Sequence, residues 1–481
     1  MKTKSLVGPF LGIVALLVFM VLPPAPPLTQ AGMRAAGVMV FTLIWWITVG
    51  VGFPSLLALA LLVLTGAMTA KAVFAASLGS YITTFMIAIY GISICLRQTG
   101  FSRRFALWFI SRPFAKGHPW AMISMFWLSC LMLGSVMSGS ATCITFMGIA
   151  EPLLEELGYR KGERFAAMLM VGISWVATAA FITTPIGHGS NILLMEWIKR
   201  DAGIILTFPK WMMAGIPVGL LIYLVILGYM RFIVRPDMSR FTESADKWIS
   251  EAKDKLGPMK LEEKIVVGTF VSVLILWLLP GFIGGVLPAV AEYLTRIGLA
   301  VPPLVGACFL CFIHVKDKPL LTVRQWMHSV PWDSVLLIAA IFAMQDIMAR
   351  PELGITEYMA MIFKPLAVSL PFFIYRVIGQ FWVVTQTNLM SNLVSAMVVY
   401  NAMVPAAAAA GIGNLGGLGF TIWCGARAGF ALPSATTNTA MVTGSGWVPI
   451  GFMAKHGAIV SVIVVFLTVF IVYPWASLII R

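Results

Sequence analysis

The 481-residue chain is 60% apolar and 11% charged, and it carries a net charge of +14. So little polar surface excludes a water-soluble globule, and lipid must surround much of the chain. The positive charge alone could indicate a nucleic-acid partner, but excess Lys and Arg in a membrane protein ordinarily lies in its cytoplasmic loops. We therefore predict the lipid bilayer as a partner, and no nucleic acid.

Eleven apolar stretches are candidates for membrane-spanning helices, each of which needs roughly 20 residues. The first follows Lys2 and Lys4 and ends in a proline-rich segment without the small residues of a cleavage site, so we predict a retained span rather than a signal peptide. The stretches lie near residues 6–24, 35–50, 54–70, 78–96, 165–182, 211–230, 264–281, 298–314, 332–349, 405–432 and 457–478.

The distribution of Lys and Arg predicts the orientation. Most of these residues fall in loops that face the cytoplasm if the N-terminus is inside, and an odd number of spans then puts the C-terminus outside. The longest polar stretch, 231–264, divides the chain near its middle, and we interpret it as a cytoplasmic linker that could form an amphipathic helix. It separates a first half, 1–230, which includes the N-terminal span, from a second half, 265–481.

The two halves contain the same features in the same order. Each has a span, a short amphipathic stretch, an apolar hairpin with a polar tip, and a span interrupted by small and polar residues. Gly100 and Gly354 begin the amphipathic stretches, 254 positions apart, and Ser138 and Ser391 mark the tips, 253 positions apart. Because each unit holds an odd number of spans, the second enters the membrane from the opposite side, and we predict two inverted repeats.

The hairpin tips read Ser-Gly-Ser-Ala-Thr at 138–142 and Ser-Asn-Leu-Val-Ser at 391–395. The first hairpin has about 30 residues, enough for two half-helices but not for two full spans, so we predict a re-entrant hairpin. Such a turn leaves backbone carbonyls unpaired at membrane depth, which suits a small cation. The half-helix after the turn presents free N–H groups that favour an anion, so one tip can serve both charges.

The interrupted spans read Thr-Thr-Pro-Ile-Gly-His-Gly-Ser-Asn at 183–191 and Leu-Pro-Ser-Ala-Thr-Thr-Asn-Thr at 432–439. Pro removes a helix hydrogen bond and Gly relaxes the backbone, so both segments should unwind. An isolated Ser or Thr in a span ordinarily bonds to a neighbouring helix, but four clusters at related positions favour a binding site. We predict that the tips and the unwound segments meet near the middle of the membrane.

These segments, with Thr-Gly-Phe-Ser-Arg-Arg-Phe-Ala-Leu-Trp at 99–108 and Val-Pro-Trp-Asp at 330–333, resemble the divalent anion/sodium symporter family over nearly the whole chain. The resemblance implies an all-α integral membrane protein that forms a homodimer. In this family a transport domain slides against a scaffold domain like an elevator, carrying an anion and usually sodium.

The family has Ser-Asn-Thr at each tip, which this chain matches only in part. The second tip keeps Ser391 and Asn392 but has Leu393, and the first has Gly139 in place of Asn. The unwound segments also depart from the family's Pro-Pro-Asn. The first tip therefore lacks an amide that in the family contacts both the ion and the substrate.

Two residues of the interrupted spans allow more than one role. His188 can hydrogen-bond an anion and carry a coupling proton, or it can be a neutral histidine satisfied by a neighbouring hydroxyl. Arg427 is predicted to lie deep within a continuous span. It could attract a dianion, but we favour a structural pairing or a side chain that snorkels to the surface.

We predict a secondary active transporter of a small divalent organic anion, such as a C4-dicarboxylate, in a bacterial cytoplasmic membrane. Sodium is the expected coupling ion, with no other cofactor and no enzymatic reaction. The residues expected to bind the anion are Ser138, Gly139, Ser140, His188, Ser190, Asn191, Ser391, Asn392, Leu393, Thr436, Thr437 and Asn438. The expected sodium ligands are Ser138, Gly139, Gly187, Thr387, Ser391, Asn392 and Ala435.

Other functions compete with this prediction. Within transport, the anion could be sulfate or another inorganic ion, or the protein could exchange anions without sodium. An ion channel is less consistent with the sequence, because no selectivity-filter repeat is present. An intramembrane enzyme would need a zinc motif, paired carboxylates or a convincing nucleophile and base, which the apolar stretches lack.

Overall fold

The computed structural model describes residues 7–240 and 243–481, which are almost entirely helical. The first half contains α1 Val7–Val21, α2 Gln30–Thr48, α3 Gly52–Leu64, α4 Ala70–Ala76, α5 Tyr81–Gln98, α6 Phe101–Ile110, α7 Pro119–Gly134, α8 Gly139–Glu156, α9 Arg164–Ala179, α10 Asn191–Ala202 and α11 Phe208–Tyr229. The middle contains α12 Glu243–Asp254. The second half contains α13 Leu261–Ile283, α14 Pro288–Ile297, α15 Val301–Phe312, α16 Val323–Ser329, α17 Trp332–Met348, α18 Ile355–Ser369, α19 Phe372–Leu389, α20 Asn392–Ala410, α21 Leu415–Gly425, α22 Thr437–Gly444, α23 Ile450–Leu467 and α24 Tyr473–Ile479.

Shorter elements complete the fold. Strands β1 His314–Val315 and β2 Lys318–Pro319 pair antiparallel between α15 and α16. Turns of 3-10 helix lie at Pro113–Ala115, Ala180–Ile182 and Pro351–Leu353, and π-helical turns extend α11 at Met230–Val234 and α23 at Thr468–Val472.

Seven helices in the described residues are long and apolar enough to cross a bilayer, or nine if each of two bent pairs counts as one span. The bent pairs are α14 with α15 and α16 with α17, which turn by 71° and 67°. Helices α1 and α3 correspond to predicted spans but have only 15 and 13 residues. The all-α membrane architecture agrees with the sequence, while the count of eleven spans stays a prediction.

One predicted span, 405–432, is wrong as a continuous helix. Helix α20 ends at Ala410, and Gly411 and Gly413 follow with φ of 66° and 72°. These left-handed values suit glycine and end a helix. Asn414 then caps α21, because its Oδ1 accepts a hydrogen bond from the Gly417 N–H at 2.6 Å. The apolar run therefore belongs to two helices, and α21 stops at Gly425, before Arg427.

The helices pack in two groups joined by two arms. One group contains α1–α5 and α13–α17, and the other contains the hairpins and broken helices, α7–α11 and α19–α24. Helices α6 and α18 form the arms, and each begins after a glycine with positive φ, 87° at Gly100 and 68° at Gly354. The glycines that mark the two amphipathic stretches in the sequence thus have the same role in both halves.

The two hairpins, α7–α8 and α19–α20, pack against the broken helices in matching ways. In the first half a Cβ added at Gly172 of α9 would overlap the buried indole of Trp127 on α7. In the second half a Cβ at Gly425 of α21 would overlap the side-chain oxygen of Gln380 on α19. The pairs Gly172–Gly425 and Trp127–Gln380 are both 253 positions apart, the spacing of the hairpin tips.

The linker 231–264 folds back onto the first half. Its helix α12 packs against α6 and α8, and the Asp246 carboxylate accepts a hydrogen bond from the Gly117 N–H at 2.9 Å. At the end of the linker, Arg104 of arm α6 pairs with the buried Glu263 at 2.7 Å. The predicted helix in this polar stretch is present, and it is anchored to an arm and to a hairpin.

We expect Gly172→Ala to lower the stability of the folded protein by about 1–3 kcal/mol, the usual cost of overpacking a buried contact. Neither the wholly buried α9 nor the Trp127 ring has room to move aside. The measurement is the midpoint of thermal unfolding in detergent. Gly148→Ala is the matched control, because nothing lies within 4 Å of a Cβ at that exposed position of α8. Equal midpoints for the two variants would contradict the proposed close contact.

Candidate functional site

The two hairpin tips and the two breaks line one cavity of about 980 Å³. Its remaining wall comes from the other group of helices, through Trp46 of α2, Ile94 of α5 and Leu337 of α17. The cavity therefore lies between the two helix groups, and both halves of the chain contribute to it. Its size is at the upper end of ordinary small-molecule pockets.

Twelve of the fifteen residues predicted to bind anion or sodium line this cavity. They come from both tips, from the loop after α9 and from the start of α22. The twelve are Ser138, Gly139, Ser140, Gly187, His188, Ser391, Asn392, Leu393, Ala435, Thr436, Thr437 and Asn438. The predicted convergence of four separated segments is thus present in the structure.

The other three predicted residues, Ser190, Asn191 and Thr387, lie fully buried behind the wall. Asn191 donates from Nδ2 to the carbonyls of Phe181 (2.6 Å) and Thr184 (2.9 Å), and its Oδ1 accepts from the Trp423 indole N–H at 2.9 Å. All its polar atoms are therefore occupied by protein. In place of the predicted anion contact, Asn191 holds the first break in shape.

The first break is also fixed to its hairpin. The hydroxyl of Thr183 donates to Ser135 Oγ at 2.6 Å, and the hydroxyl of Thr184 donates to the Ser135 carbonyl. The Trp211 indole donates to the carbonyl of Ile182 at 2.9 Å. Backbone groups freed by unwinding must find partners at membrane depth. The Trp211 indole supplies one for Ile182, and the Thr184 hydroxyl supplies one for the Ser135 carbonyl at the hairpin tip.

The second break has an equivalent anchor in Asn388, which lies 253 positions after Ser135. Its Nδ2 donates to the carbonyl of Ala428 at 3.2 Å, and its Oδ1 accepts from the Ala431 N–H at 2.8 Å. The Trp175 indole, from the first half, donates to the carbonyl of Phe430 at 3.0 Å. Each hairpin therefore positions the break beside it.

Three helices begin at the cavity. Ser138 is the N-cap of α8, and its Oγ accepts from the Ala141 N–H at 3.3 Å. Ser391 directly precedes α20. Thr436 is the N-cap of α22, where the side chains of Thr436 and Thr439 each accept a hydrogen bond from the other residue's backbone N–H. The first N–H groups of a helix lack partners within the helix, and its N-terminus carries partial positive charge. This arrangement favours an anion in the cavity.

Oxygen atoms cluster beside the second tip. Thr387 Oγ1 lies 2.8 Å from Asn392 Oδ1 and 2.7 Å from the Ala426 carbonyl oxygen. A hydroxyl has one proton and can satisfy only one of these acceptors. Three converging neutral oxygens, one from a backbone carbonyl, suit a small hard cation.

No group of three or more His, Cys, Asp or Glu side chains in residues 7–240 and 243–481 lies close enough to hold a metal ion. The oxygens that converge at the second tip are hydroxyl, amide and backbone oxygens. These ligands suit sodium better than a transition metal.

Arg427 follows the end of α21 and is 2% exposed. Its Nη2 donates to Ser190 Oγ at 2.8 Å, and its Cζ lies 4.6 Å from the centroid of the Trp423 ring. Arg427 is also among the residues that line the cavity. It does not lie within a continuous helix, so that prediction is wrong. Of the two structural roles expected for it, the side chain does not snorkel to the surface, and it pairs with Ser190.

His188 lines the cavity next to this arginine. Its Nδ1 lies 2.6 Å from Ser190 Oγ, and its ring centroid lies 4.8 Å from that of Phe181. The neighbouring hydroxyl that would satisfy a neutral histidine is therefore present. Because Ser190 Oγ accepts from Arg427, its own proton is free for His188 Nδ1, which puts the histidine proton on Nε2.

The model of the family described as the sodium:sulfate symporter transmembrane region matches residues 3–481. The chain belongs to the divalent anion/sodium symporter family. A sodium-dependent dicarboxylate transporter, SdcS, of Staphylococcus aureus strain MRSA252 is 23% identical over 98% of this chain and 92% of its own length. The corresponding protein of strain USA300 is 24% identical over 98% and 90%. Solute carrier family 13 member 1 of Mus musculus is 23% identical over 66% of this chain and 57% of its own length.

Membership of the symporter family makes this chain a multi-pass membrane transporter, in agreement with its apolar helices. Reasoning from the sequence missed many cavity residues, three charged ones among them. Arg427 was assigned to a helix interior, while Arg97 on α5 and Asp333 on α17 were not selected at all. Asp333 ends the Val-Pro-Trp-Asp segment at 330–333. This segment was the feature of the sequence from which Asp333 could have been selected.

We expect Asn191→Ala to destabilise the protein by at least about 2 kcal/mol, because it leaves two buried carbonyls and one indole N–H without partners. The measurement is the unfolding midpoint together with the yield of monodisperse protein in detergent. Asn401→Ala is the matched control, since Asn401 is also buried but its Oδ1 has no hydrogen-bond partner. If both substitutions cost the same, the bracing role of Asn191 is refuted.

Proposed function

We propose that this chain is a sodium-coupled secondary active transporter of small divalent organic anions of the C4-dicarboxylate type. The observation that carries the proposal is the convergence of both hairpin tips and both breaks on one cavity. Family membership supplies the transport class, and the geometry of this cavity supports the choice of ligand.

The wall is suited to a compact molecule with two carboxylates. Its polar surface combines hydroxyls and amides with the N-termini of α8, α20 and α22. Hydroxyls, amides and free backbone N–H groups can donate to carboxylate oxygens from more than one side. The wall also includes the buried Arg427, whereas Asp333, on the same wall, is exposed.

Sodium coupling rests on the oxygen cluster of Thr387, Asn392 and Ala426 beside the second tip. A cation there would lie near the N-terminus of α20, where an anion also binds, so each charge would favour the other. The expected ligands at the first tip, Ser138 and Gly139, face the same cavity as Gly187. The dependence on sodium in the names of the Staphylococcus aureus relatives supports this coupling.

The mechanism we propose is an elevator. The two helix groups would be the scaffold, α1–α5 and α13–α17, and the transport domain, α7–α11 and α19–α24, with α6 and α18 as connecting arms. Matching contacts 253 positions apart support two inverted repeats, 1–230 and 265–481, joined by the linker 231–264. We further propose a homodimer in a bacterial cytoplasmic membrane, with the N-terminus inside and the C-terminus outside.

A second candidate is transport of sulfate or of another inorganic anion, or anion exchange without sodium. The family model is described as a sodium:sulfate symporter region, which favours the first variant. Gly139 at the first tip, where the family has Asn, removes a possible amide ligand and favours the second. Transport of an inorganic anion and exchange without sodium would both use the same cavity.

The deciding experiment is uptake of radiolabelled succinate by proteoliposomes that contain the purified protein. It is run with and without an inward sodium gradient, with sulfate and other anions as competitors. Saturable sodium-dependent uptake that dicarboxylates block supports the proposal. Saturable uptake without sodium, or stronger competition by sulfate, favours the second candidate, and non-saturable flux indicates a channel.

We expect Asn392→Ala to abolish uptake without loss of expression, because its amide is shared by the oxygen cluster and the cavity wall. The measurement is the initial rate of uptake per amount of reconstituted protein. Asn401→Ala on the same helix is the control and should retain uptake, since Asn401 does not line the cavity. Normal uptake by Asn392→Ala would remove this residue from the site.

A further inference from the structure

Arg427 is a buried cation without a protein counter-charge. It is 2% exposed, and no Asp or Glu among the described residues forms an ion pair with it. Its Nε is buried and has no hydrogen-bond partner. An arginine remains charged even when desolvated, so burying it without an anion is costly.

The arginine is held in place rather than free to leave. Nη2 donates to the buried Ser190 hydroxyl at 2.8 Å, and the guanidinium lies over the Trp423 ring. These contacts fix its orientation, but neither neutralises its charge. The cavity that Arg427 lines is where a negatively charged ligand can reach it.

Its position lies between elements of both halves. The Arg427 Cζ is 5.9 Å from the centroid of Phe181, whose ring would meet a Cβ added at Gly139 of the first tip at 2.5 Å. On the other side, the preceding carbonyl, of Ala426, belongs to the oxygen cluster of the second tip. Arg427 thus lies beside a ring that packs on the first tip, and it follows directly after a residue of the oxygen cluster at the second tip.

His188 belongs to the same arrangement through Ser190. The Ser190 hydroxyl accepts from Arg427 and lies 2.6 Å from His188 Nδ1, so the arginine orients the histidine. No protein group in the described part of the chain accepts a hydrogen bond from His188 Nε2, and the residue lines the cavity. A neutral His188 can thus donate to the same anion as Arg427.

We propose that Arg427 is the residue that selects a doubly charged anion, acting with His188, which Ser190 positions. This inference rests on the proposed function, because it concerns the same cavity. In this role the Arg427 guanidinium is a fixed positive charge that balances one of the two negative charges of the substrate. A carboxylate at this position is favoured over a neutral amide of the same size, since its contact with the guanidinium is a charge-assisted hydrogen bond.

The experiment is calorimetric titration of the purified protein, in detergent and sodium chloride, with succinate and with its monoamide, succinamate. We expect the wild type to bind succinate at least ~10-fold more tightly than succinamate, the usual weight of one hydrogen bond to a charged group. In Arg427→Gln this ratio should fall to within about 3-fold, mainly through weaker succinate binding. Arg427→Lys should give an intermediate ratio, because it keeps the charge without the planar fork.

Arg376→Gln is the matched control. Arg376 is half-buried and, like Arg427, stacked on an aromatic ring, with its Cζ 4.0 Å from the Tyr473 centroid, but it lies outside the cavity. Its substitution should leave the succinate-to-succinamate ratio unchanged. If Arg427→Gln cannot be purified in folded form, Ser190→Ala replaces it, because loss of the Nη2 anchor should lower the ratio several-fold.

The outcomes separate this inference from the proposed function. A wild type that binds neither succinate nor succinamate overturns the proposed function and the inference together. The wild type could bind succinate more tightly than succinamate while Arg427→Gln, or its replacement Ser190→Ala, shows the same ratio. That result overturns the inference alone. A purely structural role for Arg427 would weaken binding of both ligands in proportion and leave the ratio intact, which also overturns it.

Discussion

The fold depends on satisfying the backbone where two helices are broken in an apolar environment. Each break frees carbonyl and N–H groups that lipid cannot pair, so the surrounding protein must do it. Asn191 and Asn388 bond to these groups directly, and the indoles of Trp175 and Trp211 contact two more carbonyls. The hydroxyls of the first break bond to Ser135 of the first hairpin. The same side chains hold the breaks against the hairpins, so the requirement for hydrogen bonds also sets the geometry of the cavity.

This arrangement separates structural residues from those available to a ligand. Asn191 and Thr183 have their polar atoms occupied by protein, whereas the tips present helix N-termini and hydroxyls to the cavity. A wall whose supports are already bonded changes little when a ligand binds, which lowers the cost of binding. Arg427 combines both features, because Ser190 fixes one of its nitrogens while its charge remains uncompensated.

The sequence was informative where a residue has a strong local requirement. Gly100 and Gly354 both adopt positive φ before an arm, and the polar tips stand out in apolar hairpins, so hairpins, breaks and twelve cavity residues followed from pattern. Side-chain direction was not readable in this way. Asn191 follows His188 by three positions, yet it points into the protein while His188 faces the cavity. Arg427 was misplaced because hydropathy alone did not reveal that Gly411 and Gly413 shift the helix boundaries.

Two indole contacts between the halves that lie at the breaks have a consequence for biosynthesis. Trp423 reaches Asn191 across 232 positions, and Trp175 reaches the Phe430 carbonyl across 255. During translation the first hairpin and its unwound segment leave the ribosome long before residues 423–430 are made. Until then Asn191 Oδ1 has no hydrogen-bond donor and the Trp175 indole has no acceptor. The nascent first half therefore remains without these two hydrogen bonds until the second half is made. Assembly of the cavity is therefore a late event, and the first half made alone would lack these two contacts.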